Sequence, residues 1–248
     1  MAHLQTDWER IHRGSSALEV FLLGKVDFES SLALQSRLLN QVAQRNDRHG
    51  ILLVCEHPPT ISIGREGSFA DVQVEQDELV SRQMEIRWLS RGGGTFVHVP
   101  GQVAVYSIVP LARLNLGLTE YRRRLELTLL AVATDLDVEA SVATDVPGAE
   151  CRCGQFGFIG AGVRDWVTHG GVYVNVSVPA EALQLVRWGH PEFRVTSLAA
   201  QRGRPTGIAS VRESLVRHLA ESLGYEDYHL YTGHPLLHRS TRKVYVYV

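Results

Sequence analysis

The chain has 248 residues, 44% of them hydrophobic, which is enough to build one packed core without metal or disulfide staples. Lys and Arg number 25 against 27 for Asp and Glu, so the chain offers no basic field to a nucleic-acid backbone. No apolar run reaches the roughly 20 residues of a membrane helix. The N-terminal segment carries charges where a signal peptide would be apolar, and three cysteines are too few for a disulfide framework. These features lead us to expect a cytoplasmic protein that binds neither membrane nor nucleic acid; the run Arg122, Arg123, Arg124 is expected to be a solvated helix face.

In chain order, residues 17 to 23 read as a short buried strand. Asp27 to Arg45 then places Phe28, Leu32, Gln35, Leu38, Leu39 and Val42 at helical spacing. Gly50 ends that connection, and Ile51 to Val54 forms a compact strand that Glu56-His57-Pro58-Pro59 must stop, because proline removes ladder donors. Thr60 to Gly64 is extended, the polar tract Arg65 to Glu78 is an excursion with a loose or helical piece near Gln76 to Gln83, and Ile86 to Leu89 is a strand. Thr119 is suited to cap a helix whose face holds Tyr121, Leu125, Leu129 and Val132 and which ends near Leu136. After Pro147-Gly148, two β-rich segments, Cys151 to Val163 and Gly171 to Val178, flank Trp166. Glu181 to Val186 is a short helix candidate, and Ile208 to Leu223 repeats an apolar helical face through Val211, Leu215 and Leu219. Val244 to Val248 alternates valine with tyrosine and is expected to pair with a sheet edge.

Between the strand at Ile86 and the apolar alternation of Val103, Val105 and Ser107 lies Ser90 to Gln102, SRGGGTFVHVPGQ. Three glycines after an arginine free the backbone to reach positive φ and to approach a ligand with no Cβ in the way. Arg91 brings a rigid cationic fork and His98 a titratable imidazole, while Pro100-Gly101 turns the chain. The bland reading is a β-turn with a surface arginine. Two other readings are weak. Cys151-Arg152-Cys153 lacks the spacer of a zinc pair and has no second pair to match, so no metal is expected, and the glycine run lacks both the Gly-Lys-Ser/Thr ending of a phosphate loop and dinucleotide spacing.

Taken in order and at their separations, LLVCEHPPTISIGREG, SRGGGTFVHVPGQVAVYSI, FIGAGVRDWVTHGGVYVNV and VTSL resemble the lipoyl(octanoyl) transferase family over about Leu18 to Leu223, leaving residues 225 to 248 as an extension. The resemblance implies a single α/β domain spanning residues 1 to 248, with a mixed sheet and flanking helices like the catalytic domain of lipoate and biotin protein ligases. It also implies transfer of an octanoyl group from acyl carrier protein to a lysine of a lipoyl domain, in 2-oxoacid dehydrogenases or the glycine cleavage H protein, with no ATP, metal or other cofactor. The substrate pocket carries over onto Arg91, Gly92, Gly93, Gly94, Thr95, Phe96, Val97 and His98, then Phe158, Ile159 and Gly160, then Gly171, Val172 and Tyr173.

The family's chemistry implies a cysteine that takes the acyl group as a thioester and a lysine that lowers its pKa. By position the lysine is replaced by Gln155 and the cysteine by Trp188; the histidine expected before Gly171 is Gly170, with His169 displaced by one, and a small residue is replaced by Tyr173. Neither an amide nor an indole does that chemistry. Two expectations follow: transfer by a relocated nucleophile or directly, or a catalytically silent module that binds an acyl chain, acyl carrier protein or lipoyl domain. If residues 151 to 155 are extended, Cys151, Cys153 and Gln155 share a face, which makes Cys153 the candidate replacement nucleophile.

Overall fold

The structure, a computed structural model, describes residues 17 to 187 and 193 to 237. Strand β1 (Leu18–Lys25) runs into helix α1 (Phe28–Gln44), whose first turn is capped by the Asp27 carboxylate accepting from the Ser30 amide at 2.9 Å. The helix buries Phe28, Leu34, Leu38, Leu39 and Val42 on one face and returns the chain to β2 (Gly50–Glu56), parallel to β1. β2 is buried on both sides and apolar nearly throughout. Gly50 opens this strand rather than merely ending a connection. A Cβ there would lie 2.3 Å from the Tyr225 hydroxyl, so the tight approach of Tyr225 requires glycine.

The chain then leaves the main sheet. β3 (Thr60–Ile63) pairs in parallel with β4 (Glu85–Trp88) and antiparallel with β5 (Thr95–His98), forming a separate three-stranded sheet, with the short helix α2 (Gln76–Ser81) in the connection. β6 (Gln102–Ile108) re-enters beside β2, and α3 (Leu118–Asp135) follows. Its N-cap is Gly117, with Thr119 already inside the helix, so the expected threonine cap is corrected. β7 (Ala140–Val142), β8 (Gly148–Cys151), β9 (Gly154–Arg164) and β10 (Val167–Asn175) form an antiparallel run, followed by α4 (Ala180–Leu183), α5 (Leu198–Arg202), α6 (Ile208–Leu223) and β11 (Tyr228–Thr232). The eight-stranded sheet has the order β11-β1-β2-β6-β10-β9-β8-β7 and mixes parallel and antiparallel pairs.

Two apolar layers fill its faces. Leu18, Val20, Val105, Val172 and Val174 pack with Leu125, Leu129 and Val132 of α3 and Val211, Leu215 and Leu219 of α6. Phe21, Leu53, Tyr106, Phe158 and Tyr173 face Leu34 and Leu38 of α1 together with Ile61, Phe96 and Val97 of the small sheet. The candidate site lies in the second layer. Within the C-terminal extension, β11 pairs in parallel with β1, a strand the alternation at Val244 to Val248 does not announce; that stretch lies outside the described residues.

Candidate active site

The glycine loop is pinned to two parts of the fold, β9 and the turn that follows β3. The Gly92 amide donates to Ala161 O at 2.8 Å, the Gly93 amide to Glu66 Oε2 at 2.7 Å, and Gly94 O accepts from the Gly64 amide at 3.1 Å. Gly93 sits at φ 75°, a backbone state that side chains rarely tolerate. Arg91 is 2% exposed and points inward. It donates to Gly92 O at 2.9 Å, Gly94 O at 3.1 Å, Ser62 O at 3.0 Å and Ser62 Oγ at 2.6 Å. Its guanidinium also lies 4.0 Å from the centre of the Phe96 ring. Burial lowers its pKa from the ordinary arginine value, but an arginine remains charged in proteins. The surface-arginine reading is therefore wrong: Arg91 shapes the loop from beneath.

The opposing wall is β9 and β10. Phe96 meets Phe158 at 5.6 Å and Tyr173 at 5.5 Å between ring centroids, so the space where the family resemblance implies a substrate pocket holds interlocked rings. A Cβ at Gly160 would come within 2.8 Å of both Phe96 and Tyr173. Glycine is needed there for the rings to close. Ile159 and Val172 carry their side chains into the α3 and α6 layer, away from the loop, whereas Phe158, Gly160 and Tyr173 face it. Thr95 and Val97 are buried in β5, and Gly171 is packed with the point where its Cβ would stand 2.0 Å from Val105 O. The partly exposed surface is formed by Gly92, Gly94, Ala161 and His169. The His169 pKa is pushed below its ordinary value, first by burial and then by Arg164 and Arg65. It is neutral near pH 7.

Beneath the loop His98 is fully buried. Its Nε2 is 2.7 Å from Ser62 Oγ and its Nδ1 2.8 Å from Gln102 Oε1, so both ring nitrogens are occupied. Burial first, then His57 and Arg91, hold its pKa well below 6.5. A second buried histidine, His57, donates from Nδ1 to Val26 O at 2.8 Å and accepts at Nε2 from the Tyr106 hydroxyl at 2.7 Å. Burial brings its pKa to about 4. Cys55 Sγ is 3.4 Å from the same Nε2, yet burial and Glu56 raise the thiol pKa, and the resulting protonated thiol is a poor nucleophile.

At the other end of β9, residues 151 to 155 are not extended. Cys151 pairs with Gly154 across a turn formed by Arg152 and Cys153, with Gly154 at φ 130°, so strand alternation does not put Cys151, Cys153 and Gln155 on one face. The Cys153 amide donates to Gln201 Oε1 at 3.1 Å, and burial raises the Cys151 pKa. Gln155 has no exposed surface; its Nε2 donates to Val146 O at 3.0 Å and Gly157 O at 2.9 Å, while Oε1 has no partner. Trp188 lies outside the described residues. Among the described residues, no three His, Cys, Asp or Glu side chains gather as a metal site, and no helix is long and apolar enough to cross a membrane.

Sequence reasoning missed Ser62, His57, Tyr106 and Asn175 as parts of the buried network. Ser62 and Asn175 are polar positions inside otherwise apolar strands, TISI and VYVNV, and that contrast was the available signal.

The family model of the lipoyl protein ligase A/B catalytic domain matches residues 27–220. The chain belongs to this family. An octanoyltransferase of Syntrophotalea carbinolica is 31% identical over 207 residues, covering 83% of this chain and 94% of that relative. One from Geobacter metallireducens is 34% identical, covering 78% and 87%. Among solved structures, a putative lipoate protein ligase from T. acidophilum with bound lipoic acid superposes with TM-score 0.72 at 17% identity over 89% of this chain and 90% of that one. Lipoate-protein ligase A bound with ATP gives TM-score 0.70 at 18% identity, covering 88% and 90%. These structural likenesses establish the single α/β domain, its mixed sheet and its flanking helices.

Proposed function

We propose that this chain acts in lipoate biosynthesis, moving an octanoyl group from the thioester of acyl carrier protein to a lysine of a lipoyl domain in 2-oxoacid dehydrogenases or the glycine cleavage H protein. The observation that carries this reading is the 31% identity to an octanoyltransferase over 83% of the chain. In the net reaction the lysine nitrogen bonds to the acyl carbon, the carbon–sulfur bond breaks, and the amine proton ends on the released thiol. By the direct route the neutral amine attacks the carrier thioester. By the covalent route a cysteine thiol first displaces the carrier thiol and the lysine then displaces that cysteine; with the strand alignment absent, Cys153 is a candidate for that thiol only as a partly exposed free cysteine at the β8–β9 turn. Gln155 takes no proton in either route because an amide does not titrate.

A second reading, a silent module that binds the same partners without turnover, is supported by Gln155. Where the family resemblance expects a lysine, this side chain is buried and has both amide hydrogens committed to Val146 O and Gly157 O. Intact-mass analysis of a lipoyl domain, after incubation with octanoyl carrier protein and this chain, separates the readings. Octanoylated lysine upholds transfer, and its loss in Cys153→Ala assigns the covalent route. An unmodified domain that is octanoylated only when Gln155→Lys and Trp188→Cys are combined upholds the silent module.

A further inference from the structure

The buried polar groups below the glycine loop form one continuous line, and its direction is fixed at both ends. Arg91 only donates, so Ser62 Oγ accepts from it at 2.6 Å and must pass its own hydrogen on to His98 Nε2 at 2.7 Å. His98 Nδ1 then donates to Gln102 Oε1 at 2.8 Å. The orientation of the Gln102 amide is set independently, since its Nε2 donates to Val97 O at 3.0 Å as well as to Asn175 Oδ1 at 2.9 Å. Asn175 Nδ2 finally donates to Thr196 O at 3.1 Å. Thr196 is in turn tied through its amide to Gln155 O at 3.0 Å. The line thus joins four stretches that are distant in sequence: β3, the loop with β5 and the start of β6, the end of β10, and the segment before α5. It ends beside the start of β9.

We infer that His98 is a positioning residue that couples the glycine loop to the Val195–Ser197 segment, so that the two ends of the acyl site keep a fixed separation. Its role in acyl recognition rests on the function proposed above; the coupling itself does not. A neutral imidazole suits this post because it accepts at one nitrogen and donates at the other. Neither replacement by an amide does both across the same span. An asparagine amide reaches the place of Nδ1 and keeps the Gln102 link while losing Ser62; a glutamine amide reaches the place of Nε2 and keeps Ser62 while losing Gln102.

Hydrogen exchange on the full chain, unliganded, reads this out. In His98→Asn, the Gly92 and Gly64 amides should exchange about five- to tenfold faster, the size expected for one lost buried hydrogen bond, while the Thr196 and Ala199 amides hold their protection. In His98→Gln the pattern should reverse. Equal acceleration of both segments in each variant would mean ordinary loss of packing, and no acceleration would mean no coupling; either overturns the inference. A second arm measures binding of octanoyl-pantetheine. If the wild type binds it, both variants should bind several-fold more weakly, and unchanged affinity would overturn a role in the site. If the wild type does not bind it, the functional reading fails while exchange still decides the coupling.

Discussion

The two ends of the candidate site each leave one buried polar atom unpaired, Arg91 Nε at one and Gln155 Oε1 at the other, but differ in how many side-chain hydrogen bonds tie them to the fold. At the glycine-loop end, Arg91 makes four hydrogen bonds from its two terminal nitrogens, and His98, Gln102 and Asn175 continue the line without a gap. At the β8–β9 end, Gln155 leaves a buried carbonyl oxygen without a partner, and Cys151 and Cys153 stand half-buried at a turn. A buried polar group left unpaired costs about 1–3 kcal/mol. The contrast teaches that the loop is held by a line of linked side chains, whereas at the end where the family resemblance puts acyl chemistry Gln155 is held by two side-chain hydrogen bonds to backbone carbonyls.

The largest loss is expected at Arg91. Arg91→Met removes the donors for Ser62 O, Gly92 O and Gly94 O and should lower unfolding free energy by about 3–5 kcal/mol, read as a fall in the urea midpoint. A loss below about 1 kcal/mol would show the loop is held by its glycine contacts alone.

Next in size is the pH response of the buried histidines. The folded pKa of His57 is depressed to about 4 from 6.5, so the unfolded state takes up the proton first as pH falls. The associated stability is complete above about pH 6.5 and is lost as pH falls toward 4, by about 3 kcal/mol. His98, whose pKa is also lowered, acts in the same direction. Urea midpoints from pH 7.5 to 4 should fall steeply in the wild type and less steeply in His57→Gln.

A smaller effect is expected where the glycine loop meets the β9–β10 wall. Gly160→Ala places a Cβ 2.8 Å from Phe96 and Tyr173 and should cost about 1–3 kcal/mol. Gly94→Ala meets nothing within 4 Å and should cost less than about 1 kcal/mol. Thermal melts of the pair check it, and equal losses would mean that ring packing does not hold the wall.

Much of this architecture is legible in the chain itself, because the short apolar run at Leu18 to Lys25 and the period-3.6 patterns at Phe28 to Gln44 and Ile208 to Leu223 follow directly from which faces are buried. What periodicity lacks is the partner of each strand. Nothing in TISI shows that it leaves the main sheet to pair with Glu85–Trp88, or that Tyr228–Thr232 closes the other edge. The glycine loop announces itself through three successive glycines, but the part played by His98 depends on Ser62 and Asn175, which only the β3–β5 and β6–β10 registers bring near. The geometry argued for Cys153 failed for a local reason: a two-residue turn precedes Gly154, and a strand reading of residues 151 to 155 had no room for it.

The account stands or falls on recognition of an eight-carbon acyl group at this site. The direct measurement is the affinity of the wild-type chain for octanoyl-, hexanoyl- and butyryl-pantetheine, by calorimetry under one set of conditions. Burying a methylene is worth about 0.8 kcal/mol, so affinity should fall about fourfold per methylene removed as the Phe96 and Tyr173 rings part to admit the chain. Equal affinity for all three thioesters would contradict the account, leaving the rings as a closed core with no acyl site between them.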